Sequence, residues 1–228
     1  MTAKSRIALV TGANRGIGRA VSERLHALGH RVVVAARDAA EAGRAAAELG
    51  PGARAAALDV TDEEAPERVR DLVGPVDIVV NNAGIQLDWG HPPLGVPTQL
   101  VRRQFEVNVL GAWRMCQVFL PGMVERGWGR VVMISSGTGA FSNGLSARTP
   151  GYSVSKTALN ALTVLMATET RGTGVLVNAV NPGQVRTRMR PQAERLPEQA
   201  AEDIVWAATL PDDGPTGAFL RGRKQVPW

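Results

Sequence analysis

The sequence predicts an α/β protein, a single doubly wound domain in which helices cover both faces of a parallel sheet. Apolar, β-branched runs alternate with longer alanine- and leucine-rich segments along the whole chain. Most of these runs are continuously apolar, which is typical of strands covered on both faces. A glycine-rich turn follows the first run directly, at the place where doubly wound sheets bind their ligands.

About seven runs are predicted strands, and the segments between them have the length of helices. The strands are expected at 6–10, 31–36, 54–60, 76–80, 130–135, 175–180 and 217–222, and the helices at 16–29, 38–49, 62–73, 98–126, 152–171 and 197–209. Asp38 and Asp62 stand where N-caps are needed, and Gly29 and Gly50 follow helix ends. No repeat or linker interrupts the pattern, so we expect one domain over residues 1–228.

Composition narrows the classes of partner. The 228 residues carry a formal charge of +5, and 44% of them are hydrophobic, which is enough for a core. The basic residues are scattered, which argues against nucleic acid and favours an anionic small molecule. No apolar run reaches the ~18 residues of a membrane-spanning helix, and no secretory signal is recognisable, so the cytoplasm is the expected compartment. Cys116 is the only cysteine, and the three histidines lack ligand spacing, so neither a disulfide nor a metal site is expected.

The turn "TGANRGIG" (11–18) lies between the first strand and the first helix. Its glycines allow a tight exit from the strand at Gly12, close approach of backbone to a pyrophosphate at Gly16, and close helix–strand packing at Gly18. The helix that follows offers free N–H groups and the positive end of its dipole to an anion. A glycine-rich loop without a ligand is the alternative, but the strand–turn–helix context favours a dinucleotide site of the Rossmann type.

The end of the second strand decides which dinucleotide is preferred. Arg37 follows that strand and is expected to pair with a 2′-phosphate, and Arg15 adds a second positive charge nearby. Asp38 is a competing signal, because an acid near this position can bind the ribose hydroxyls of NAD, but we interpret it as a helix N-cap. A solvated surface arginine is the other interpretation of Arg37. The sequence favours NADP.

Four motifs in order give the chain a family resemblance: "TGANRGIG", "NNAG" (81–84), "YSVSK" (152–156) and "NPGQVRT" (181–187). With them the chain resembles the short-chain dehydrogenase/reductases, and more narrowly their NADP-dependent, carbonyl-reductase-like members, over about residues 5 to 222. The resemblance implies an NADP(H)-dependent oxidoreductase that transfers a hydride between nicotinamide and a small carbonyl or alcohol substrate. In that family the acid that marks NAD dependence stands where this chain has Ala36.

The resemblance also implies roles for particular residues. The catalytic set is Asn108, Ser136, Tyr152 and Lys156, with Tyr152 as general acid/base, Ser136 bonded to the substrate oxygen and Asn108 holding a water. Tyr152 and Lys156 also face the cofactor. The remaining cofactor-binding residues border its phosphates, adenine, ribose or carboxamide: Gly12, Asn14, Arg15, Gly16, Ile17, Gly18, Arg37, Asp59, Val60, Asn82, Ala83, Gly84, Val185 and Thr187.

Tyr152 is the only tyrosine of the chain, and Lys156 follows it by one helical turn. An ammonium about 4 Å from the phenol contributes on the order of 4 kcal/mol at an effective dielectric of ~20. At ~1.36 kcal/mol per unit, we expect the pKa of Tyr152 to fall by roughly three units. An isolated Tyr-x-x-x-Lys is more often a packed aromatic beside a solvated lysine, and Ser136 and Asn108 have structural interpretations too. The four motifs together favour catalysis.

Other features leave substrate and assembly open. Sixteen positions separate Ser136 from Tyr152, somewhat more than is usual in the family, and the extra length lies beside the expected substrate pocket. From loop position we expect Trp89, Phe141 and Leu145 as pocket walls for an apolar ketone or aldehyde. The basic run 186–195 is expected to form a mobile flap over the cofactor, with Met189 facing the substrate. A catalytically silent NADP-binding regulator or scaffold, or a related dehydration, epimerisation or imine reduction, is the alternative function. Monomer and homo-oligomer both remain possible.

Overall fold

A computed structural model describes residues 5–228, with an eight-stranded sheet at the centre. The strands run in the order β3-β2-β1-β4-β5-β6-β7-β8, and all neighbours are parallel except β7 and β8. Their bounds are β1 Ile7–Thr11, β2 Arg31–Ala36, β3 Ala53–Ala57, β4 Ile78–Asn81, β5 Gly129–Ile134, β6 Val175–Val180, β7 Phe219–Arg221 and β8 Lys224–Val226. The predicted fold class is therefore confirmed, with one strand more than expected. The prediction of one domain over 1–228 includes residues 1–4, which lie outside the described residues.

Helices cover both faces of the sheet, as its apolar strands require. They are α1 Gly16–Ala27, α2 Ala39–Leu49, α3 Ala65–Val73, α4 Thr98–Phe105, α5 Gly111–Glu125, α6 Pro150–Glu169 and α7 Pro197–Ala208. Alternate residues of one strand enter opposite cores: Leu9 packs with the cluster that contains Phe119 and Leu159, whereas Val10 packs with the cluster that contains Leu25 and Ile204. Because both faces are buried, the strands carry no polar alternation.

The predicted helix 98–126 is interrupted. A π-helical turn, Glu106–Leu110, separates α4 from α5, and it contains Asn108. The Asn108 side chain bonds to the backbone of Ile85, which gives an asparagine a partner inside a helical segment. π-Helical turns are rare and frequently occur at functional sites, and a hydrophobic pattern does not reveal them.

The order of the strands creates a crevice. The chain leaves β1 on one side to form β2 and β3, and returns on the other side to form β4. The connections that leave the carboxyl ends of β1 and β4 therefore diverge, and ligands of doubly wound sheets bind at this point. The glycine turn follows β1 there, and the segment "NNAG" begins within β4.

Two glycines in helices provide a matched test of how tightly α1 packs. A Cβ added at Gly18 would lie 2.5 Å from the Gly12 carbonyl oxygen, whereas a Cβ added at Gly43 in α2 would meet nothing within 4 Å. We expect Gly18→Ala to lower the free energy of unfolding by about 1–3 kcal/mol, because the contact is with backbone. Gly43→Ala should raise it by roughly 0.5–1 kcal/mol, because alanine loses less entropy in a helix. Urea denaturation measures both, and equal effects would contradict the packing described for Gly18.

Candidate active site

The glycine turn has the backbone that its sequence predicts. Gly12 and Gly16 have φ values of +62° and +54°, in the left-handed region that favours glycine. Gly18 is buried where α1 crosses the turn, and an added Cβ there would also lie 2.5 Å from the Asn82 amide nitrogen. Arg15 is the N-cap residue of α1, and its side chain makes no hydrogen bond to the first N–H groups of the helix.

Thr11 fixes the turn to the segment after β4. Its hydroxyl oxygen accepts hydrogen bonds from the backbone N–H groups of Asn82 (3.0 Å) and Ala83 (2.9 Å). In return, the Asn82 amide donates to the carbonyl oxygens of Thr11 (2.8 Å) and Gly12 (3.2 Å). The amide protons of Asn82 are therefore directed at the carbonyl groups of the glycine turn.

Arg37 and Asp38, the two residues that follow β2, have different roles in the structure. Asp38 caps α2, because one oxygen of its carboxylate accepts from the N–H groups of Ala40 (2.8 Å) and Glu41 (3.0 Å). The predicted N-cap is confirmed. Arg37 is exposed and lines the cavity described below, as does Arg15. Asp59 is engaged locally by the N–H and hydroxyl groups of Thr61.

Ser136, Tyr152 and Lys156 come from two neighbouring elements. Ser136 follows β5 and begins a short 3-10 turn, and Tyr152 and Lys156 lie in the first two turns of α6. The close packing of this 3-10 turn against α6 needs a glycine, since a Cβ added at Gly139 would lie 2.6 Å from the Lys156 Cβ. The Lys156 amino group lies 5.6 Å from the centre of the Tyr152 ring and donates a 2.7 Å hydrogen bond to the Ile134 carbonyl.

Burial dominates the ionisation of this pair. It raises the pKa of Tyr152 to about 12; a hydrogen bond with Ser136 and the charge of Arg190 act in the opposite direction without outweighing it, and the charge of Asp88 raises the pKa further. Burial also lowers the pKa of Lys156 to about 8. The predicted fall in the Tyr152 pKa is therefore wrong, because the site removes the water that would stabilise either charge.

Asn108 is buried behind these residues. Its Nδ2 donates to the Ile85 carbonyl (2.9 Å) and to the Ser155 hydroxyl (3.0 Å), and its Oδ1 accepts from the Ile85 N–H (2.8 Å). A Cβ added at Gly84 would lie 3.4 Å from the Asn108 Oδ1 and 3.6 Å from the Lys156 Nζ. Two of the four predicted catalytic residues, Asn108 and Lys156, thus meet at Gly84, although Asn108 does not line the cavity.

Asp88 is a residue that the sequence did not indicate. It is fully buried, and its Oδ2 accepts from the N–H groups of Gly151 (2.6 Å) and Tyr152 (3.1 Å) at the start of α6. Thr149, the N-cap residue of α6, makes no capping hydrogen bond with its side chain. The Asp88 carboxylate, 63 residues before Gly151, caps the helix in its place. An acid in a loop is common, and only the fold reveals which helix it reaches.

The segment 183–196, which we call the flap, crosses the mouth of the site. Val185 pairs with Arg195, and a Cβ added at Gly16 would lie 3.4 Å from the Thr187 methyl group. Met189 lines the cavity as predicted. The predicted walls Trp89, Phe141 and Leu145 were wrong, because their side chains are 52%, 71% and 41% exposed and none of them is among the lining residues.

One cavity of about 1830 Å³ connects these parts. All of the predicted catalytic and cofactor-binding residues except Gly18 and Asn108 line it: Gly12, Asn14, Arg15, Gly16, Ile17, Arg37, Asp59, Val60, Asn82, Ala83, Gly84, Ser136, Tyr152, Lys156, Val185 and Thr187. Cys116 is buried in the core, where burial raises its pKa to about 12. Within residues 5–228, no helix combines the length and apolarity needed to cross a bilayer.

Lys156 gives a pH dependence of stability that can be measured. Its folded pKa of about 8 lies below the ~10.4 of an unfolded lysine, so between these values the unfolded chain binds more protons and stability rises with pH. We expect Lys156→Met to stabilise the protein by roughly 1–3 kcal/mol at pH 7 and by less at pH 9.5. Urea denaturation at both pH values, with the exposed Lys224→Met as control, tests this. Measurements stay below pH 10. Above pH 10 the unfolded chain loses the Tyr152 proton, whereas the folded protein keeps it up to its raised pKa of about 12, so stability falls as the pH rises further.

A gain from Lys156→Met that is the same at both pH values would contradict this account, since a loss of packing strain does not depend on protonation. Lys224→Met, which changes the same charge on the edge strand β8, is expected to change stability little at either pH.

Comparisons with known proteins agree with this geometry. The family model described as short chain dehydrogenase matches residues 6–197. L-xylulose reductase of Homo sapiens is 40% identical over 182 residues, which are 79% of this chain and 72% of that protein. Carbonyl reductase (NADPH) 2 of Sus scrofa is 38% identical over 195 residues, 85% of this chain and 77% of that protein. A 3-oxoacyl-(acyl-carrier protein) reductase with bound NAD from Brucella melitensis superposes with a TM-score of 0.87 at 30% identity, covering 97% of this chain and 90% of that chain. The chain belongs to the short-chain dehydrogenase family of oxidoreductases.

Proposed function

We propose that the protein is an NADPH-dependent reductase of a small carbonyl compound, with Tyr152 as the proton donor. The observation that carries the proposal is one cavity that is lined by the glycine turn at one end and by Ser136, Tyr152 and Lys156 at the other. Two relatives, named L-xylulose reductase and carbonyl reductase (NADPH) 2, support reduction as the direction of the reaction.

The residues present fit a nicotinamide dinucleotide. Gly12 and Gly16 leave room for a pyrophosphate beside the start of α1, and the helix end supplies N–H donors. Backbone of the segment 82–84 and side chains of the flap border the rest of the cavity. When bound, the cofactor would supply the hydride, which is the chemistry that no side chain of this protein provides.

The protein's own groups handle the proton and the developing charge. A reduction requires a protonated acid, and the raised pKa of about 12 keeps Tyr152 protonated at neutral pH. Ser136, which lines the same cavity as Tyr152, is placed to donate to the substrate oxygen as it becomes negative. Lys156, with its lowered pKa of about 8, can return a proton toward Tyr152 after each cycle. Asn108 and Asp88 hold the backbone around this group.

The preference for NADPH follows from charge at the adenosine end. Arg37 and Arg15 both line the cavity, and Asp38, the competing acid, is occupied in capping α2. Glu41 also reaches this region, but its carboxylate accepts a hydrogen bond from Asn14. A 2′-phosphate would therefore meet two guanidinium groups without an equally free carboxylate.

Tyr152→Phe tests the catalytic assignment. Removing the hydroxyl removes the proton donor, so we expect turnover of NADPH with a ketone or aldehyde substrate to fall by about 10²–10⁴-fold. Binding of NADPH, followed by the fluorescence of the reduced nicotinamide, should stay within a few-fold of wild type because the ring is kept. Undiminished turnover by a correctly folded Phe variant would show that another group donates the proton.

Arg37→Ala tests the cofactor assignment. Loss of a charge-assisted hydrogen bond should weaken NADPH binding by about tenfold or more, while NADH binding changes little. Arg31→Ala is the matched control, since Arg31 is exposed at the opposite end of the same strand. Wild type that binds NADH as tightly as NADPH, or an Arg37 variant that loses neither, would refute the assignment.

A further inference from the structure

Arg190 occupies an unusual place at the mouth of the cavity. Its guanidinium carbon lies 4.0 Å from the centre of the Trp89 ring, so the flap rests on the loop that follows β4. A turn fixes its backbone, because the Arg190 N–H donates to the Thr187 carbonyl (3.1 Å) and its carbonyl accepts from the Ala193 N–H (3.2 Å). Arg190 lines the same cavity as Tyr152 and Ser136. Stacking on an aromatic face leaves the edge N–H groups of a guanidinium available for a ligand.

Within residues 5–228 this charge has no acidic partner. Arg190 takes part in none of the ion pairs there and makes no side-chain hydrogen bond. The four acidic residues that line the cavity lie elsewhere: Asp38, Glu41 and Asp59 follow β2 and β3, and Glu106 is paired with Arg114 at 2.7 Å. Asp88 is close enough to affect Tyr152, but its Oδ2 is bound to the start of α6.

Arg190 also belongs to the reacting end of the cavity and not to the phosphate end. Trp89, on which it stacks, directly follows Asp88, and the Asp88 carboxylate accepts a hydrogen bond from the Tyr152 N–H (3.1 Å). The charge of Arg190 also lowers the pKa of Tyr152, against the larger effect of burial. Arg188, two residues earlier in the flap, also lines the main cavity, but it additionally lines a small cavity of about 160 Å³ with Asn14, Arg15 and Arg19, beside the glycine turn. Successive arginines of the flap therefore face different ends of the site.

We propose that Arg190 binds an anionic group of the substrate, a carboxylate that lies on the same molecule as the reacting carbonyl. The preferred substrates are then oxo acids, which are reduced to hydroxy acids, and not the apolar ketones that the loop sequences led us to expect. A planar carboxylate matches the fork of donors on a guanidinium, and its pairing with Arg190 offsets the repulsion between a substrate anion and charge that develops on the reacting oxygen. This inference rests on the proposed reductase function.

The experiment compares oxo acids with their methyl esters, which differ in charge and keep the ketone. Pyruvate, levulinate and para-acetylbenzoate span a range of distances between carbonyl and carboxylate. kcat/KM with NADPH is measured for wild type, Arg190→Met and Arg148→Met. Methionine keeps an apolar contact with Trp89 and removes the charge. Arg148 is the matched control, because its guanidinium lies 5.1 Å from the same ring but is not among the cavity-lining residues.

For at least one acid–ester pair, we expect wild type to prefer the acid and Arg190→Met to lose that preference by about tenfold or more, as for a hydrogen bond to a charged group. Arg148→Met should keep it. Because the acid and its ester are compared as a ratio of kcat/KM values, any effect of Arg190 on Tyr152 that is the same for both substrates cancels. A wild-type preference for every ester, or a ratio that Arg190→Met leaves unchanged, overturns the proposal.

A second measurement separates this inference from the proposed function. Binding of para-acetylbenzoate to Tyr152→Phe in the presence of NADP⁺ is followed by saturation-transfer NMR, with and without Arg190→Met. If no pair is reduced by wild type, the reductase proposal fails. Loss of binding in the Arg190→Met background would then still support a carboxylate site, and unchanged binding would overturn it.

Discussion

The crevice of this protein depends on one buried hydroxyl group. Thr11 ends β1, and its Oγ1 accepts from the N–H groups of Asn82 and Ala83 and donates to the Val80 carbonyl at 3.4 Å. The side chain thereby uses both its acceptor and its donor capacity at the point where the two halves of the sheet diverge. The glycine turn and the segment 82–84 are thereby held in direct contact, and both line the cavity.

Interactions between sequence neighbours could be predicted, and those between distant residues could not. Gly12, Gly16 and the pair Tyr152 and Lys156 lie within single motifs, so the geometry of a turn or a helix determines their arrangement. Asp88 reaches α6 across 63 residues, and nothing local indicates that contact. The π-helical turn at Asn108 was missed for a related reason, since its stabilising partner, Ile85, lies in another loop.

The pKa of Tyr152 was predicted to fall, but burial raises it to about 12. The spacing correctly places the Lys156 amine near the Tyr152 phenol. A fall in the pKa of Tyr152 would follow only if the ammonium could stay charged there without a desolvation cost. Both groups are buried in the same place, so desolvation acts on each of them before they act on each other. The pocket walls failed similarly: apolar loop residues were assumed to turn inward, whereas Phe141 is 71% exposed. Burial is a property of the fold, and a sequence pattern in a loop does not specify it.

The edge of the sheet contacts the loop that follows β5. Ser142 donates through its N–H to the Trp228 carbonyl (3.0 Å) and through its hydroxyl to the Pro227 carbonyl (2.9 Å), while the Trp228 ring stacks on Phe219 at 5.2 Å. These partners lie 85 residues or more beyond Ser142. Closing so long a loop costs conformational entropy before its contacts form, so we expect the segment around Ser142 to become ordered after the strands that precede the hairpin. Asn143 and Gly144 of this segment line the cavity, so we expect this part of the cavity wall to be among the last to be ordered as the chain folds.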